Sequence, residues 1–245
     1  MIYAGTSGWS YPTWKPQFYP AKLAAAKFLQ YYGTRLNSVE VNYTFRHFAS
    51  EKSQLAWCAA TPPEFRFSVK AHQTITHVKR LKDAADDARA FLGSLQPLAG
   101  AGKLGFVLFQ LPPFVKADAG LLRDFLAGLP AGRFAFEFRH ASWFTHETYA
   151  SLKQKNAAIC VAESEKLETP DVVTADFCYY RLRKGEYSAD ERKQFASRIQ
   201  AHAQAKRDVF LFFKHEDSPD GALYAEELLE EFGAKPTDPN RPPIS

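Results

Sequence analysis

The most constraining feature of this sequence is the alternation of eight short apolar runs with longer helix-like segments. The strand-like runs cover residues 2–7, 38–42, 65–71, 104–111, 133–139, 158–162, 177–182 and 208–214, and the clearest helix-like segments cover 21–33, 83–98, 117–127, 145–154, 189–205 and 222–232. Alternation of this kind predicts parallel strands, because parallel neighbours need crossover connections. We therefore predict an α/β fold, a TIM-barrel-like (β/α) barrel with seven or eight parallel strands. An open doubly wound sheet is the alternative, although no glycine-rich phosphate fingerprint follows the first strand.

The chain of 245 residues shows no linker and no repeat of fixed period. We predict one barrel domain over residues 1–234 and a proline-rich tail over 235–245. The three cysteines are widely spaced, which argues against a disulfide framework or a zinc ribbon and favours a reducing compartment. Neither a signal peptide nor an apolar stretch of about 20 residues is visible, so we expect a cytoplasmic protein without a membrane anchor.

Polar residues occupy one face of several predicted strands, near their carboxyl ends. In residues 38–42, Glu40 and Asn42 lie opposite two valines, and in residues 134–139, Glu137 and Arg139 lie opposite three phenylalanines. The polar residues that fall late in their strands are Glu40, Asn42, Lys70, Gln110, Glu137, Arg139, Arg181 and Lys214. Enzymes with this fold work at the carboxyl ends of the strands, so these residues are predicted to form one site.

The charges of this predicted site favour an anionic guest. Four of its residues are cations and two are carboxylates, and an excess of buried positive charge needs an anion such as a phosphate or a carboxylate. The alternative is that the charged groups pair with one another and only close the end of the barrel. Buried ion pairs contribute little to stability, which favours the functional interpretation.

Aromatic residues and one histidine are further candidates for the site. The loop after the first strand, residues 8–20, carries five aromatic residues, of which Trp9 is a candidate for stacking on a sugar or a base. Trp143 follows the fifth strand and is a second candidate, although such aromatics also serve as a hydrophobic plug. His77 follows the third strand and is a candidate general base. No metal-ligating motif is present, and we predict neither a metal nor a cofactor.

Several motifs resemble the domain-of-unknown-function-72 family. They are GTSGWSY at 5–11, FYP at 18–20, VEVNYTF at 39–45, FSVK at 67–70, ITH at 75–77, FQLPP at 109–113 and EFRHASW at 137–143. The resemblance spans nearly the whole chain and implies a TIM-barrel-like fold, but it implies no reaction. The chain departs from the family pattern at Arg183-Lys184 and at Lys214-His215, and both departures add positive charge to the predicted site.

These features leave three functions open. The first is an enzyme of the hydrolase or lyase/isomerase type that acts on a small anionic or sugar-like molecule, with Glu137 and Glu40 as paired carboxylates. On that interpretation, Glu137→Gln folds normally and loses turnover. The second is a protein that binds or processes nucleic acid, which the mild net charge of +4 makes less favourable. The third is a module that binds an anionic metabolite without turnover.

Overall fold

The computed structural model describes residues 1–163, 167–214 and 217–236. Its eight strands are β1 Ile2–Thr6, β2 Ser38–Val41, β3 Arg66–Lys70, β4 Leu104–Gln110, β5 Phe134–Glu137, β6 Ala158–Ala162, β7 Phe177–Leu182 and β8 Asp208–Phe213. All neighbouring pairs are parallel, in the order β1-β8-β7-β6-β5-β4-β3-β2. The predicted TIM-barrel-like fold is confirmed, and the open sheet is excluded because β1 and β2 approach each other across a nearly closed barrel.

The helices of the described residues pack around the outside of the barrel. They are α1 Phe28–Arg35, α2 Glu51–Ala59, α3 Ala85–Ser94, α4 Gln96–Gly100, α5 Ala119–Gly128, α6 His146–Lys155, α7 Ala189–Gln204 and α8 Asp220–Glu231. The sequence patterns located every long helix except α2. Ser50 is the N-cap residue of α2, and its side chain accepts a hydrogen bond from the backbone N–H of Ser53. The predicted segment 83–98 is two helices. The described part of the connection between β6 and β7 carries no helix.

Side chains close the barrel between β1 and β2, where the backbone ladder is reduced to one bridge, Ser7 to Glu40. The Asn37 amide accepts from the backbone of Ala4 at 3.0 Å and donates to the carbonyl of Ile2 at 2.8 Å. The Tyr32 hydroxyl accepts from the backbone of Thr6 and donates to the carbonyl of Ser38, both at 2.9 Å. These bonds replace part of the missing ladder.

The strands also approach closely at this seam, and Gly5 makes the approach possible. A Cβ atom at Gly5 would lie 1.9 Å from the carbonyl oxygen of Ser38, so no larger residue fits between β1 and β2.

Two apolar clusters fill the domain. The larger lies between the barrel and its helices, and the smaller fills the barrel interior around Phe106, which contacts Tyr179 at 4.4 Å and Phe210 at 5.0 Å between ring centroids. The interior is thus packed with aromatic side chains and is not a channel. This packing leaves only the carboxyl end of the barrel for polar inward-facing residues.

The tail predicted over 235–245 lies largely outside the described residues, since residues 237–245 are not among them. Lys235 forms an ion pair with Glu226 of α8 at 3.0 Å. His215 also lies outside the described residues, so its predicted contribution to the site is not part of the geometry below.

Candidate functional site

Two buried carboxylates share one arginine at the carboxyl end of the barrel. The Arg181 guanidinium donates through Nη2 to Glu40 Oε1 at 2.8 Å and through Nη1 to Glu137 Oε2 at 2.5 Å. All three side chains are buried, with Arg181 at 3% exposed. They meet because β2, β5 and β7 each place an inward-facing residue at the same level of the barrel, as the period-two pattern predicted.

Glu137 has a donor on each of its oxygen atoms. Gln110, its register neighbour on β4, donates to Oε2 at 2.8 Å, and Arg183 donates to Oε1 at 2.7 Å. Burial by itself raises the pKa of Glu137, but the charges of Arg181 and Arg183 and the hydrogen bond from Gln110 outweigh it and lower the pKa to about 2. Glu137 is therefore a fixed anion at neutral pH.

Among the described residues, Glu40 accepts hydrogen bonds through only one of its two carboxylate oxygens. Its Oε1 accepts from Ser7 Oγ at 2.8 Å and from Asn42 Nδ2 at 3.1 Å, in addition to Arg181. Its Oε2 is buried and has no hydrogen-bond partner among the described residues. One carboxylate oxygen of the pair thus keeps its lone pairs for another donor.

Unsatisfied polar atoms are concentrated in this part of the barrel. Nine buried side-chain nitrogen and oxygen atoms of the described residues have no hydrogen-bond partner. Six of them belong to inward-facing residues of the strands or to the residues directly after them: Glu40, Asn42, Ser68, Tyr179, Arg181 and Arg183. Buried polar groups are nearly always bonded in folded proteins, so such a concentration indicates a place that binds polar molecules.

Lys70 and His77 lie beside the same ring, that of Phe45. The Lys70 ammonium is 4.1 Å from the ring centroid, and the His77 ring meets the same ring edge-on at 4.7 Å. Burial, followed by the charge of Arg181, lowers the pKa of Lys70 to about 8. Burial, followed by the charges of Lys70 and Arg139, lowers the pKa of His77.

The structure brings together six of the residues that the sequence selected and places others elsewhere. Glu40, Asn42, Lys70, Gln110, Glu137 and Arg181 form the site, with His77 beside Lys70. Arg139 lies at the margin, more than a third exposed, with its Nε 4.0 Å from Glu137. Lys214 is exposed at the end of β8, and its backbone N–H donates to Leu182.

The two tryptophans predicted for the site are packed into the layer between barrel and helices. Trp143 is 1% exposed, stacks on Phe138 at 4.5 Å and donates its indole N–H to the carbonyl of Val115. Trp9 packs edge-on against Trp57 of α2 at 5.6 Å. Both contacts belong to the hydrophobic core, which is the alternative role that the sequence left open for aromatics near the barrel mouth.

Sequence reasoning did not include Ser7 among the site residues, and it connected Arg183 with the site only through the departure from the family pattern at Arg183-Lys184. Ser7 follows the inward-facing Tyr3 and Gly5 at period two, and Arg183 follows Arg181 in the same way, so strand alternation continued past each strand end would have found both. The backbone N–H of Arg183 donates to Glu163 at 3.0 Å, which holds this loop over the site. Among the described residues, no group of three metal-ligating side chains is present.

Eight parallel strands with a charged carboxyl end define a β/α-barrel protein of the TIM-barrel type. The sequence profile of the family described as "Protein of unknown function DUF72" matches residues 3–244. The chain belongs to this family, and the resemblance seen in its motifs is confirmed.

Relatives of known sequence or structure agree with this assignment. The UPF0759 protein YunF of Bacillus subtilis is 27% identical over 271 residues, which cover 94% of each chain, and the UPF0759 protein YecE of Escherichia coli K12 is 33% identical over 59% of this chain and 50% of its own. A DUF72 family protein from Thermotoga maritima superposes with a TM-score of 0.84 at 27% identity, covering 95% of this chain and 99% of its own. These names describe a family without an assigned reaction.

Proposed function

We propose that the carboxyl end of the barrel is the active site of an enzyme that acts on a small anionic molecule by acid–base chemistry, of the hydrolase or lyase/isomerase type. The observation that carries the proposal is that four residues of the Glu40–Arg181–Glu137 triad and its hydrogen-bond partners each keep a buried polar atom without a partner among the described residues: Glu40, Asn42, Arg181 and Arg183. A purely structural ion-pair network would satisfy its own donors and acceptors, because each one left unbonded costs about 1–3 kcal/mol.

The charges of the site support an anionic substrate. Lys70, Arg181 and Arg183 carry one positive charge more than Glu40 and Glu137 can neutralise. Arg183 is the more accessible of the two arginines that bond Glu137, with 21% of its side chain exposed, and its Nε has no partner among the described residues. We assign it the binding of the substrate's anionic group, since a guanidinium matches carboxylate and phosphate geometry.

The two carboxylates are suited to different tasks. Glu137, with a pKa of about 2 and donors on both oxygens, anchors Arg181 and Arg183 and takes no proton at neutral pH. Glu40 keeps Oε2 free, so we assign it the role of general base. This assignment modifies the one favoured by the sequence, in which Glu137 was the leading acid or base.

Native mass spectrometry of the protein taken directly from cells tests the proposal. We expect a co-purifying small anion on the wild-type protein, its loss in Arg183→Met, and its retention in Arg123→Met, a matched control whose arginine pairs with Glu147 on the surface. Glu40→Gln should keep the anion, and the released molecule should be converted by the wild type and left unchanged by Glu40→Gln.

Two results would contradict this function. An anion retained equally by Arg183→Met would remove the substrate-binding role of the arginine. An anion that binds the wild type and is never converted would select the metabolite-binding module instead.

Within the described residues no helix is long and apolar enough to cross a membrane. The free thiols of Cys58, Cys160 and Cys178 support our further proposal of a cytoplasmic location.

A second candidate, nucleic-acid binding, is favoured by one observation. Tyr43 and Phe114, in the segments that follow β2 and β4, are 59% and 63% exposed, and the Arg80 guanidinium lies 5.0 Å over the Phe114 ring. Exposed rings beside cations are typical of surfaces on which bases stack. Binding of a single-stranded oligonucleotide that weakens steeply with added salt and is lost in Phe114→Ala would favour this function over the first.

A further inference from the structure

Lys70 is a partly buried cation that forms no ion pair with any described residue. It ends β3 with its side chain on the inward face, shared with Ser68. Across residues 1–163, 167–214 and 217–236, its ammonium has no hydrogen bond and no carboxylate within 4.0 Å, and its closest described contact is the face of Phe45. Desolvation of such an ammonium is unfavourable, and it shifts the equilibrium of Lys70 towards the neutral amine.

The arginines are the reason that Lys70 lacks a partner. Arg181 bonds both carboxylates of the site and Arg183 bonds Glu137 again. The negative charge within reach of Lys70 is therefore already neutralised. With a pKa of about 8, roughly a tenth of Lys70 side chains carry the neutral, nucleophilic amine at pH 7, against less than a thousandth of exposed lysines.

A group that can carry a proton, His77, contacts the same ring as this amine. His77 shares the Phe45 ring with Lys70, and its Nδ1 is bonded to Thr76 Oγ1 at 2.9 Å. Its Nε2 has no hydrogen bond among the described residues. Its lowered pKa, due to burial and then to Lys70 and Arg139, keeps the imidazole neutral and able to accept a proton at neutral pH.

We propose that Lys70 is a nucleophile that forms a Schiff base with the carbonyl carbon of a small anionic aldehyde or ketone, such as a 2-oxo acid, while Arg183 binds the anionic group. The inference rests on the proposed function, because it names the substrate class of the same site. A desolvated lysine next to other cations is the environment in which an amine becomes nucleophilic enough for this step.

The step is balanced without an oxidant or a further reactant. The neutral Lys70 Nζ attacks the carbonyl carbon, a C–N bond forms, and the π electrons of the C=O bond move to oxygen. His77 accepts the proton that nitrogen releases and returns it to the oxygen. This gives a carbinolamine. A second proton passes from nitrogen to oxygen through His77 as the C–O bond breaks, the nitrogen lone pair forms the C=N bond, water leaves, and the neutral imine remains on Lys70.

Lys103 provides a matched control for Lys70 within the same chain. It is 5% exposed and burial also lowers its pKa, but its ammonium donates to the carbonyls of Cys58 and Thr61, both at 2.7 Å, and to Thr61 Oγ1 at 2.9 Å. All three of its donors are used, so its nitrogen lone pair is not available. If burial alone controlled reactivity, Lys70 and Lys103 would behave alike towards a carbonyl compound. The inference instead predicts that Lys70 reacts and Lys103 does not.

Reductive trapping tests the inference. The full-length protein is incubated at pH 7 with glyoxylate and sodium cyanoborohydride, and the carboxymethylated lysines are quantified by peptide mass spectrometry. We expect Lys70 to be modified about tenfold faster than Lys103 and the exposed Lys153, because its neutral fraction is much larger. Oxalate, an anion without a reactive carbonyl, should slow this reaction, and acetaldehyde, a carbonyl without an anion, should label Lys70 less.

Variants separate the contributing groups. Lys70→Arg keeps the charge and should remove the adduct, with circular dichroism to verify that the protein is folded. Arg183→Met should reduce the preference for glyoxylate over acetaldehyde, whereas Arg123→Met should not. His77→Phe should slow the labelling of Lys70 without shifting it to other lysines.

The outcomes distinguish this inference from the proposed function. If oxalate raises the melting temperature in an Arg183-dependent way but Lys70 reacts no faster than Lys103, the Schiff base is overturned and the anion site stands. If Lys70 reacts equally with glyoxylate and acetaldehyde and oxalate gives no protection, the anionic carbonyl substrate is overturned. If neither binding nor trapping occurs, both proposals fail.

Discussion

Charged side chains lie inside both ends of the barrel, but they are fully hydrogen-bonded at the amino end and only partly bonded at the carboxyl end. At the amino end Lys103 uses all three of its donors, and Asp208 bonds both the N-terminal amine and Arg133 at 2.8 Å. At the carboxyl end the Lys70 ammonium has no hydrogen bond to a described residue, and Glu40 leaves one oxygen unsatisfied. The aromatic cluster around Phe106 separates the two ends.

This difference shows which of the buried charges the fold needs. A fully bonded buried charge stabilises one arrangement of the chain, since removing either partner exposes the other to an apolar environment. A partly bonded one lowers stability and persists where another molecule completes its bonds. We therefore expect substitutions at the amino end to act on stability and substitutions of the unsatisfied groups at the carboxyl end to act on binding.

The substitution with the largest expected effect is Glu137→Gln, because Glu137 is fully buried and accepts hydrogen bonds on both of its oxygens. A glutamine offers one acceptor oxygen to three donor groups and removes the charge that faces Arg181 and Arg183. This bonding changes the expectation from the sequence, in which the variant folds normally: we now expect the free energy of unfolding to fall by about 3–5 kcal/mol in urea titrations at pH 7. Glu147→Gln, on an exposed pair, should change it by less than about 0.5 kcal/mol.

The pH dependence of the difference in unfolding free energy between the wild type and Glu137→Gln provides the control for this prediction. Because the folded-state pKa of Glu137 is lowered to about 2, the stability that its carboxylate contributes is complete above pH 4.5 and is lost as the pH falls toward 2. The gap between the wild type and Glu137→Gln should narrow over that window by roughly 3 kcal/mol. A gap that stays constant from pH 5 to pH 2 would mean that Glu137 is not held as an anion by the two arginines.

The barrel and the level of its site could be predicted from the sequence because strand alternation is a local property. Each of Glu40, Lys70 and Glu137 alternates with apolar neighbours, so the face of each strand follows from a few residues. Parallel strands place their carboxyl ends together, which brings those residues to one site without any knowledge of loops. The charge count from the sequence predicted an excess of two positive charges, whereas the residues that meet at this end carry an excess of one, because Arg139 lies at the margin, Lys214 is exposed and Arg183 joins the group.

The bonding within the site could not be predicted in this way, because it depends on how side chains from distant strands meet. Strand alternation does not reveal that Arg181 lies between both carboxylates, that Arg183 reaches Glu137, or that Lys70 is left without a partner. Aromatic residues gave the least reliable prediction. Trp143 is equally suited to stacking on a ligand and to packing on Phe138, and only the direction of the chain after β5 selects the second.

Lys103→Met should have the next largest effect. The methionine fills a similar volume but leaves the carbonyls of Cys58 and Thr61 without their donor at a buried position. We expect a loss of about 2–4 kcal/mol in the free energy of unfolding, with no change in binding of the co-purifying anion. If Lys103→Met loses that anion under conditions in which the variant is fully folded, the two ends of the barrel are coupled and do not act separately.

Lys70→Met should change the free energy of unfolding least of the three substitutions, and it should raise it where the other two lower it. It removes a desolvated ammonium that contacts the Phe45 ring and has no hydrogen bond to a described residue, so we expect a gain of about 1 kcal/mol at pH 7 together with loss of the glyoxylate adduct. The folded-state pKa of Lys70 is lowered to about 8, so the gain should be complete below pH 8 and decrease toward pH 10.5, where the unfolded chain also loses the proton. Lys153→Met, on the exposed face of α6, should show neither the gain nor its pH dependence. A Lys70→Met protein as unstable as Lys103→Met would show that Lys70 is bonded as a structural lysine, and the contrast between the two ends of the barrel would be lost.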